Sequence, residues 1–203
     1  MNKDRLFPTT IMPDKDWWHA LWPNPSQVLQ DVGIAAGMSV VDLCCGDGYF
    51  TQPMCELTNP GDVYGLDLDA DLLGQAETVC DPYRNFHSIL GDALDLPQLI
   101  DGLVDFVFMA NTFHGVPDQL YLSKAISHTL NDAGRFAAIN WYRRPREETM
   151  VLDQPRGPDT ELRMQPEEVQ QVVEPAGFLL EKVVDVGPYH YGAVFIKFGN
   201  SQV

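Results

Sequence analysis

The sequence has few basic residues and no long apolar run. Its 203 residues include 13 Lys and Arg against 29 Asp and Glu, so the net charge is −16. Contact with nucleic-acid phosphates or anionic lipid needs a cationic surface, and we therefore expect neither partner. No stretch of about 18 apolar residues occurs, and the charged beginning lacks the pattern of a signal peptide. These features favour a cytoplasmic protein.

Cysteine is scarce and irregularly spaced. The chain has four, Cys44, Cys45, Cys55 and Cys80, without the paired CxxC spacing of a zinc site. Adjacent residues such as Cys44 and Cys45 do not readily close a disulfide. We therefore expect reduced thiols and no metal.

Apolar strands and amphipathic helices alternate through the middle of the chain. The predicted strands are SVVDL, DVYGLDL, FHSIL, VDFVFMA and RFAAINWY, with helices such as ADLLGQAETVC and PDQLYLSKAISHTL between them. This order predicts a parallel sheet covered on both faces. The tail adds a helix, QPEEVQQVVEPAG, and two strands, FLLEKVVDV and YHYGAVFIKFG, joined by GP as a hairpin. We predict a Rossmann-like, doubly wound α/β fold with seven strands, mostly parallel, whose last strand is antiparallel.

The same pattern divides a single domain, 1–203, into four parts. Residues 1–36 combine three tryptophans with prolines and are interpreted as a lid or brace, in which Asn24 caps a helix that begins at Pro25. Residues 37–142 form the cofactor-binding core, 143–165 an insertion on the substrate side, and 166–203 the C-terminal helix and β-hairpin.

The turn in VVDLCCGDGYFT, Val40 to Thr51, carries the first chemical signal. Ligands of doubly wound sheets lie beyond the carboxyl ends of the strands, where Gly46 and Gly48 let the backbone approach closely. Asp42 could accept from a cationic or hydroxyl group above the turn. Asp67 ends the next strand, where a carboxylate can take both hydroxyls of a ribose. These features fit NAD or S-adenosylmethionine.

Two acidic residues distinguish between NAD and S-adenosylmethionine as the ligand. Asp47 lies inside the turn, where it would repel the pyrophosphate of a dinucleotide. Asp92, in GDALDLP after the third strand, can accept from an adenine amino group while the backbone at Ala93 meets the ring. The pattern therefore favours S-adenosylmethionine.

The segments VVDLCCGDGYFT, VYGLDLD, GDALDLP and VDFVFMANTFHGVPD resemble the successive motifs of class I S-adenosylmethionine-dependent methyltransferases. The resemblance extends over about residues 37–142 and is to the small-molecule, type 11 branch that includes quinone-biosynthesis enzymes. It implies that Asp67 holds the ribose, that Asp92 meets the adenine amino group, and that the Asn111 carbonyl accepts from the methionine amino group. It implies S-adenosyl-L-homocysteine as the product. The predicted cofactor-binding set is Asp42, Cys44, Cys45, Gly46, Gly48, Asp67, Leu68, Asp92, Ala93, Asn111 and Trp18.

Cys44 departs from the family, which usually has a glycine there. One interpretation is packing, since a small thiol side chain fits if the backbone angles are ordinary. Another is that the thiols of Cys44 and Cys45 bind a soft metalloid or thiophilic substrate near the sulfonium. A third is exposure without a role.

His114 and Phe113 follow the fourth strand, where the acceptor should meet the methyl group. His114 is the candidate base, or it caps the next helix or fills the pocket wall. Phe113 forms the pocket wall or belongs to the core. Trp17 and Trp18 either close over the cofactor or pack on the sheet edge. The other histidines, His19, His87, His128 and His190, are interpreted as surface residues or satisfied core residues.

Five of the eight arginines fall between 143 and 163: Arg143, Arg144, Arg146, Arg156 and Arg163. Because guanidinium groups bind carboxylates and phosphates at two points, we hypothesise an anionic substrate held by Arg143, Arg144 and Arg156. The alternative is an internal network with the neighbouring acidic residues Glu147, Glu148, Asp153, Asp159 and Glu161, which orders the loop.

The predicted function is S-adenosylmethionine-dependent methylation of a small molecule by a monomer or homodimer. The first alternative is methylation of a thiol or metalloid that uses Cys44 and Cys45. The second is a non-catalytic protein that binds the cofactor as a sensor or partner subunit, and the third is a dinucleotide oxidoreductase.

Overall fold

The computed structural model describes residues 15–198. Residues 1–14 of the predicted lid and 199–203 of the predicted C-terminal part, 166–203, lie outside the described residues. The strands are β1 Val40–Leu43, β2 Val63–Asp67, β3 Phe86–Leu90, β4 Val104–Ala110, β5 Leu130–Trp141, β6 Met150–Val151, β7 Gln154–Pro155, β8 Phe178–Asp185 and β9 His190–Lys197. The helices are α1 Lys15–Leu21, α2 Pro25–Val32, α3 Thr51–Thr58, α4 Ala70–Cys80, α5 Leu96–Leu99, α6 Gln119–Thr129 and α7 Pro166–Val173.

Seven strands form one sheet in the order β3-β2-β1-β4-β5-β9-β8. The pairs from β3 to β5 are parallel, and β9 runs antiparallel to both β5 and β8. The predicted fold class, with its antiparallel last strand, is therefore confirmed. The strand order reverses between β1 and β4, and a ligand crevice is expected beyond their carboxyl ends.

Alternation along each strand divides the core into two layers. Phe106 and Phe108 of β4 face a layer that contains the buried residues of α1, α2 and α3. Val107 and Met109 face the opposite layer, to which α5, α6 and α7 contribute. Both faces of the sheet are therefore covered, as continuous apolar strands require.

Local capping explains where two of the helices begin. Asn24 precedes α2, and its Oδ1 accepts from Gln27 N–H at 3.3 Å, as the Asn-Pro pair predicts. Asp69 precedes α4 and accepts from Asp71 N–H and Leu72 N–H. Within residues 15–198, no helix has the length and apolar character to cross a membrane.

The insertion between β5 and α7 is more ordered than the sequence predicts. It contains the two-stranded ribbon β6–β7, where the sequence indicates only a loop. Arg163, only 1% exposed, donates to the carbonyls of Pro158, Arg144 and Arg156 and to Thr149 Oγ1. This buried guanidinium fixes the insertion beside the carboxyl end of β5.

Candidate active site

The turn after β1 has an unusual backbone. Cys44, Gly46 and Gly48 all have positive φ, at 62°, 58° and 87°. A Cβ at Gly48 would lie 2.9 Å from Ala76 Cα, so the turn packs against α4 at a point where only glycine fits. The condition for a well-fitting Cys44, ordinary backbone angles, is not met, because left-handed angles are unfavourable for a side chain with a Cβ.

Asp67 ties this turn to the end of β2. Its Oδ2 accepts from Gly46 N–H at 2.8 Å, and its Oδ1 accepts from Asp69 N–H at 2.9 Å. Cys45 N–H donates to Leu66 O at 3.0 Å. Each carboxylate oxygen can accept a second hydrogen bond, so Asp67 retains the capacity for a pair of hydroxyls.

Asp42 is buried in β1 beneath the turn. Its Oδ2 accepts from Thr51 Oγ1–H at 2.6 Å. Burial raises the pKa of Asp42 to about 7; the Thr51 hydrogen bond opposes that rise, whereas the Asp67 charge adds to it. Asp42 therefore changes its charge near neutral pH, where an ionised form would favour a cation above it.

Cys44 and Cys45 are neutral thiols. Burial raises the pKa of each well above the usual range. The charges of Asp67, Asp42 and Asp92 raise the pKa of Cys44 further, which shows that the three carboxylates surround this turn. Because the thiolate is the form that attacks electrophiles and binds soft metals, this environment does not favour thiol chemistry.

Asp92 and Asn111 mark the ends of β3 and β4 at the same edge. Asp92 Oδ1 accepts from Leu94 N–H at 3.0 Å and caps the short 3₁₀ helix Ala93–Asp95. Asn111 has φ 57°, and its N–H donates to Ile139 O at 2.8 Å. The amide oxygen and nitrogen of the Asn111 side chain are buried without a partner among the described residues. Buried polar groups are normally paired, so these atoms indicate a ligand.

His114 lies in the 3₁₀ helix Phe113–Gly115, after β4. Its Nδ1 is 3.4 Å from Asn140 Oδ1, which can only accept, so this contact favours the tautomer with the proton on Nδ1. The other nitrogen, Nε2, is buried and unpaired within residues 15–198. Burial lowers the pKa of His114, and the Arg163 charge lowers it further. The ring is therefore neutral at pH 7, with a lone pair on Nε2.

Phe113 belongs to the hydrophobic core on the α5–α7 side of the sheet. It is fully buried, and its ring centroid lies 5.9 Å from that of Phe136. Its assignment to the pocket wall stays a prediction.

The three predicted anion-binding arginines have different surroundings. Arg143 donates to Arg163 O and pairs with Glu168 at 2.9 Å, so it orders the insertion. The Arg144 guanidinium lies 5.9 Å from the centroid of the Tyr142 ring, and that of Arg156 lies 5.9 Å from the centroid of the Trp17 ring. Arg156 Nε is buried and makes no hydrogen bond in the described part of the chain. The binding of an anion by Arg144 and Arg156 stays a prediction.

Trp17 and Trp18 pack with three other aromatic rings that the sequence does not place in the site. Trp18 stacks on Trp17 at 5.2 Å and on Trp22 at 5.0 Å, and Trp22 lies 4.5 Å from His190. His190 lies 4.0 Å from Trp141, which lies 6.2 Å from Trp17. These five rings form a closed loop, the aromatic circuit, between α1 and the ends of β5 and β9. Local sequence patterns gave no signal for it, because its members meet only through the sheet.

The doubly wound sheet, the glycine turn and the carboxylate that ends β2 define a protein that binds a nucleoside-containing ligand at the β1/β4 switch point. Residues 40–134 match the family described as "Methyltransferase domain". This match and the solved structures described below support the resemblance to class I S-adenosylmethionine-dependent methyltransferases that the motifs indicate.

The sequence is similar to those of curated proteins named demethylmenaquinone methyltransferase from Staphylococcus aureus. Those of strains JH9 and Newman are each 29% identical over 122 residues, which is 60% of this chain and 49% of the relative. The chain thus spans about half the length of these relatives.

Solved structures share the fold. A SAM-dependent methyltransferase from Aquifex aeolicus has a TM-score of 0.77 and 25% identity over 90% of this chain and 93% of its own. Magnesium protoporphyrin IX methyltransferase from Synechocystis, with bound SAM, has a TM-score of 0.61 and 14% identity over 85% of this chain and 76% of its own. The family's cofactor is S-adenosylmethionine, and the unpaired Asn111 amide, the Gly48 contact and the Asp67 carboxylate fit it.

Proposed function

We propose that this chain transfers the methyl group of S-adenosylmethionine to a small molecule. The observation that carries the proposal is the convergence of the glycine turn, the Asp67 carboxylate and the unpaired Asn111 amide at one edge of the sheet. When bound, the cofactor supplies an electrophilic methyl carbon on a sulfonium. The protein's part is then to hold the acceptor atom on axis, without a strong acid or a metal.

The residues at this edge divide the binding between them. Asp67 and Leu68 would hold the ribose, and Asp92 and Ala93 the adenine. The turn residues Cys44, Cys45, Gly46 and Gly48, together with Asp42 and Asn111, would line the methionine part, while Trp18 lies on the lid side. The carboxylates that surround the turn suit a cofactor that carries no phosphate.

His114 is the proposed base. Asn140 orients its ring, and its neutral Nε2 would be able to take the proton of an acceptor hydroxyl. General bases of this kind typically contribute about 10²–10⁴ in rate. A reduced pKa keeps His114 unprotonated, and so competent, at neutral pH.

The proposed acceptor is a small anion. Arg144 and Arg156 support this, since each guanidinium faces an aromatic ring and neither has a carboxylate partner among the ion pairs found within residues 15–198. The name of the relatives, demethylmenaquinone methyltransferase, specifies a quinone, which fits an acceptor placed beside the circuit's rings. Methylation of a thiol or metalloid through Cys44 and Cys45 is a weaker alternative, because both thiols are protonated.

Calorimetric titration with S-adenosylmethionine, S-adenosylhomocysteine and NAD tests the cofactor assignment. We expect the adenosyl ligands to bind and NAD not to bind. Asp67→Ala should abolish binding, whereas Asp62→Ala, at the opposite end of β2, should not change it. Equal binding by wild type and Asp67→Ala would contradict the assignment. With a turnover assay, His114→Gln should lower kcat and leave cofactor affinity unchanged; a binder without activity shows neither turnover nor that difference.

A further inference from the structure

His190 is a buried histidine without the partners that a structural role requires. It is the first residue of β9 and pairs with Trp141, the last residue of β5, at the edge where the acceptor is expected. It has no exposed surface, and neither ring nitrogen has a hydrogen-bond partner in the part of the chain that the structure describes. More than nine in ten buried polar groups in proteins are paired, so two unpaired nitrogens on one ring point to a missing ligand atom.

The neighbours of His190 restrict what that atom can be. The rings of Trp22 and Trp141 lie close to that of His190. Burial lowers the pKa of His190 well below its usual range, and the Arg163 charge lowers it further. A neutral imidazole offers one donor and one acceptor. Trp18 Nε1, in the circuit, and Arg156 Nε, beside the Trp17 ring, are buried donors that likewise make no hydrogen bond in the described part of the chain. Because N–H donors are in excess here, the site favours a ligand that presents oxygen atoms as hydrogen-bond acceptors.

One part of the circuit can admit a ligand. Trp141 and His190 belong to the sheet, and Trp22 is anchored because its Nε1–H donates to Val186 O. Trp17 and Trp18 instead belong to α1, a helix of only seven residues. An acceptor that reaches His190 therefore enters beside α1 and contacts the rings of Trp22 and Trp141.

We propose that the aromatic circuit is the acceptor subsite and that His190 hydrogen-bonds an oxygen of a flat, negatively charged acceptor, with Trp18 Nε1 and Arg156 Nε as additional donors. This inference rests on the proposed function and assigns its acceptor class. It also makes His190, which the sequence indicates as a surface or satisfied core residue, a residue that binds substrate.

The test uses 2-naphthoate, titrated calorimetrically into the whole protein saturated with S-adenosylhomocysteine. 2-Naphthamide tests the charge, and cyclohexanecarboxylate tests the flat ring. We expect 2-naphthoate to bind and each of the other two to bind at least about tenfold more weakly. Equal affinities for the three compounds, or no binding of 2-naphthoate, would overturn the inference.

Two substitutions separate hydrogen bonding from packing. His190→Phe keeps a flat ring without nitrogens and should weaken 2-naphthoate binding about tenfold, while His190→Gln keeps a donor and an acceptor and should stay within about threefold of wild type. The Tm of His190→Phe should equal or exceed that of wild type, because a buried unpaired polar group is removed. Unchanged naphthoate affinity in His190→Phe, or loss of its fold, would assign His190 to the core instead.

A third variant does not touch the buried ring. Arg156→Leu removes one donor at the rim of the circuit and should also weaken 2-naphthoate binding without changing that of S-adenosylhomocysteine. Unchanged naphthoate affinity there would remove Arg156 from the subsite. If S-adenosylhomocysteine itself fails to bind wild type, the proposed function fails; if it binds and 2-naphthoate does not, only the present inference fails.

Discussion

Cys44 shows how one residue can be strained by the site that it helps to form. Its φ of 62° is a conformation that glycine adopts easily and a cysteine adopts at a cost of about 1–2 kcal/mol. The turn nevertheless holds, because Cys45 N–H and Gly46 N–H are bonded to Leu66 and Asp67 of β2. The Cys44 side chain packs against the core layer of α5, α6 and α7, which offsets part of that strain.

Cys44→Gly should therefore stabilise the protein. Relief of the left-handed strain exceeds the entropy cost of an added glycine, and a net gain of about 1 kcal/mol corresponds to an increase in Tm of about 2–4 °C. Scanning calorimetry measures this, and S-adenosylhomocysteine affinity should be unchanged. Cys45→Gly is the control: Cys45 contacts Leu73 and Ala76, so its loss should lower Tm. A lower Tm for Cys44→Gly would show that the thiol contributes more than the strain costs.

Asp42 makes cofactor binding depend on pH. If its ionised form binds the cationic methionine part, affinity falls as pH decreases below the pKa of about 7, by up to about tenfold per pH unit. Calorimetric titrations with S-adenosylhomocysteine, repeated at intervals of about one pH unit between about pH 5 and pH 9, measure how the affinity depends on pH. Asp42→Asn should bind more weakly at high pH and show no such decrease.

The Thr51→Val variant tests in which direction the pH dependence of cofactor affinity shifts. The Thr51 hydroxyl lowers the pKa of Asp42 through the 2.6 Å hydrogen bond, so its removal raises the pKa further. The decrease in affinity should therefore begin at a higher pH than in wild type. A shift to lower pH, or none, would show that another group controls the profile.

At the scale of elements, local patterns predict the sheet and its helices well. Helix α4 and strand β3 have the bounds that the sequence indicates, because the period of apolar residues and the Asp69 cap are local signals. The positive φ of Cys44 cannot be predicted from the sequence, because a cysteine at a position where glycine is usual does not indicate which backbone angle it adopts. The aromatic circuit is not readable either, because Trp22 and its partner Val186 are 164 positions apart. The chemistry of His190 depends on that same long-range packing.

Tyr49 connects the turn before α3 to the segment between α1 and α2. Its hydroxyl donates to Trp22 O at 2.6 Å, so Tyr49→Phe should loosen the segment between α1 and α2. All four tryptophans of the chain, Trp17, Trp18, Trp22 and Trp141, belong to the circuit, and their emission should shift to longer wavelength as water enters. Fluorescence spectra measure this. The control Tyr83→Phe removes an exposed hydrogen bond to Glu56 and should leave the emission unchanged. Equal spectra for the two variants would show that Tyr49 does not hold the segment between α1 and α2 in place.

For the whole molecule, the net charge of −16 opposes the anionic acceptor that the arginines favour. At about 20 Å from the centre, 16 charges repel a monovalent anion by roughly 2 kcal/mol at 0.01 M salt and by roughly 1 kcal/mol at 0.15 M. The guanidinium groups of Arg156 and Arg163 act at contact distance and are screened less, because they lie beside buried rings. Salt therefore weakens the long-range repulsion more than the local attraction.

The affinity for 2-naphthoate should consequently rise between 0.01 M and 0.15 M salt, the opposite of the usual effect on an arginine site. The difference of roughly 1 kcal/mol corresponds to about fivefold. Calorimetry at the two salt concentrations measures it, and uncharged 2-naphthamide, whose affinity should not change, is the matched control. A monotonic decrease with salt would mean that the arginines outweigh the field of the whole molecule even at low ionic strength. In that case the acidic surface limits neither the encounter nor the binding of an anion at the carboxyl edge of β5.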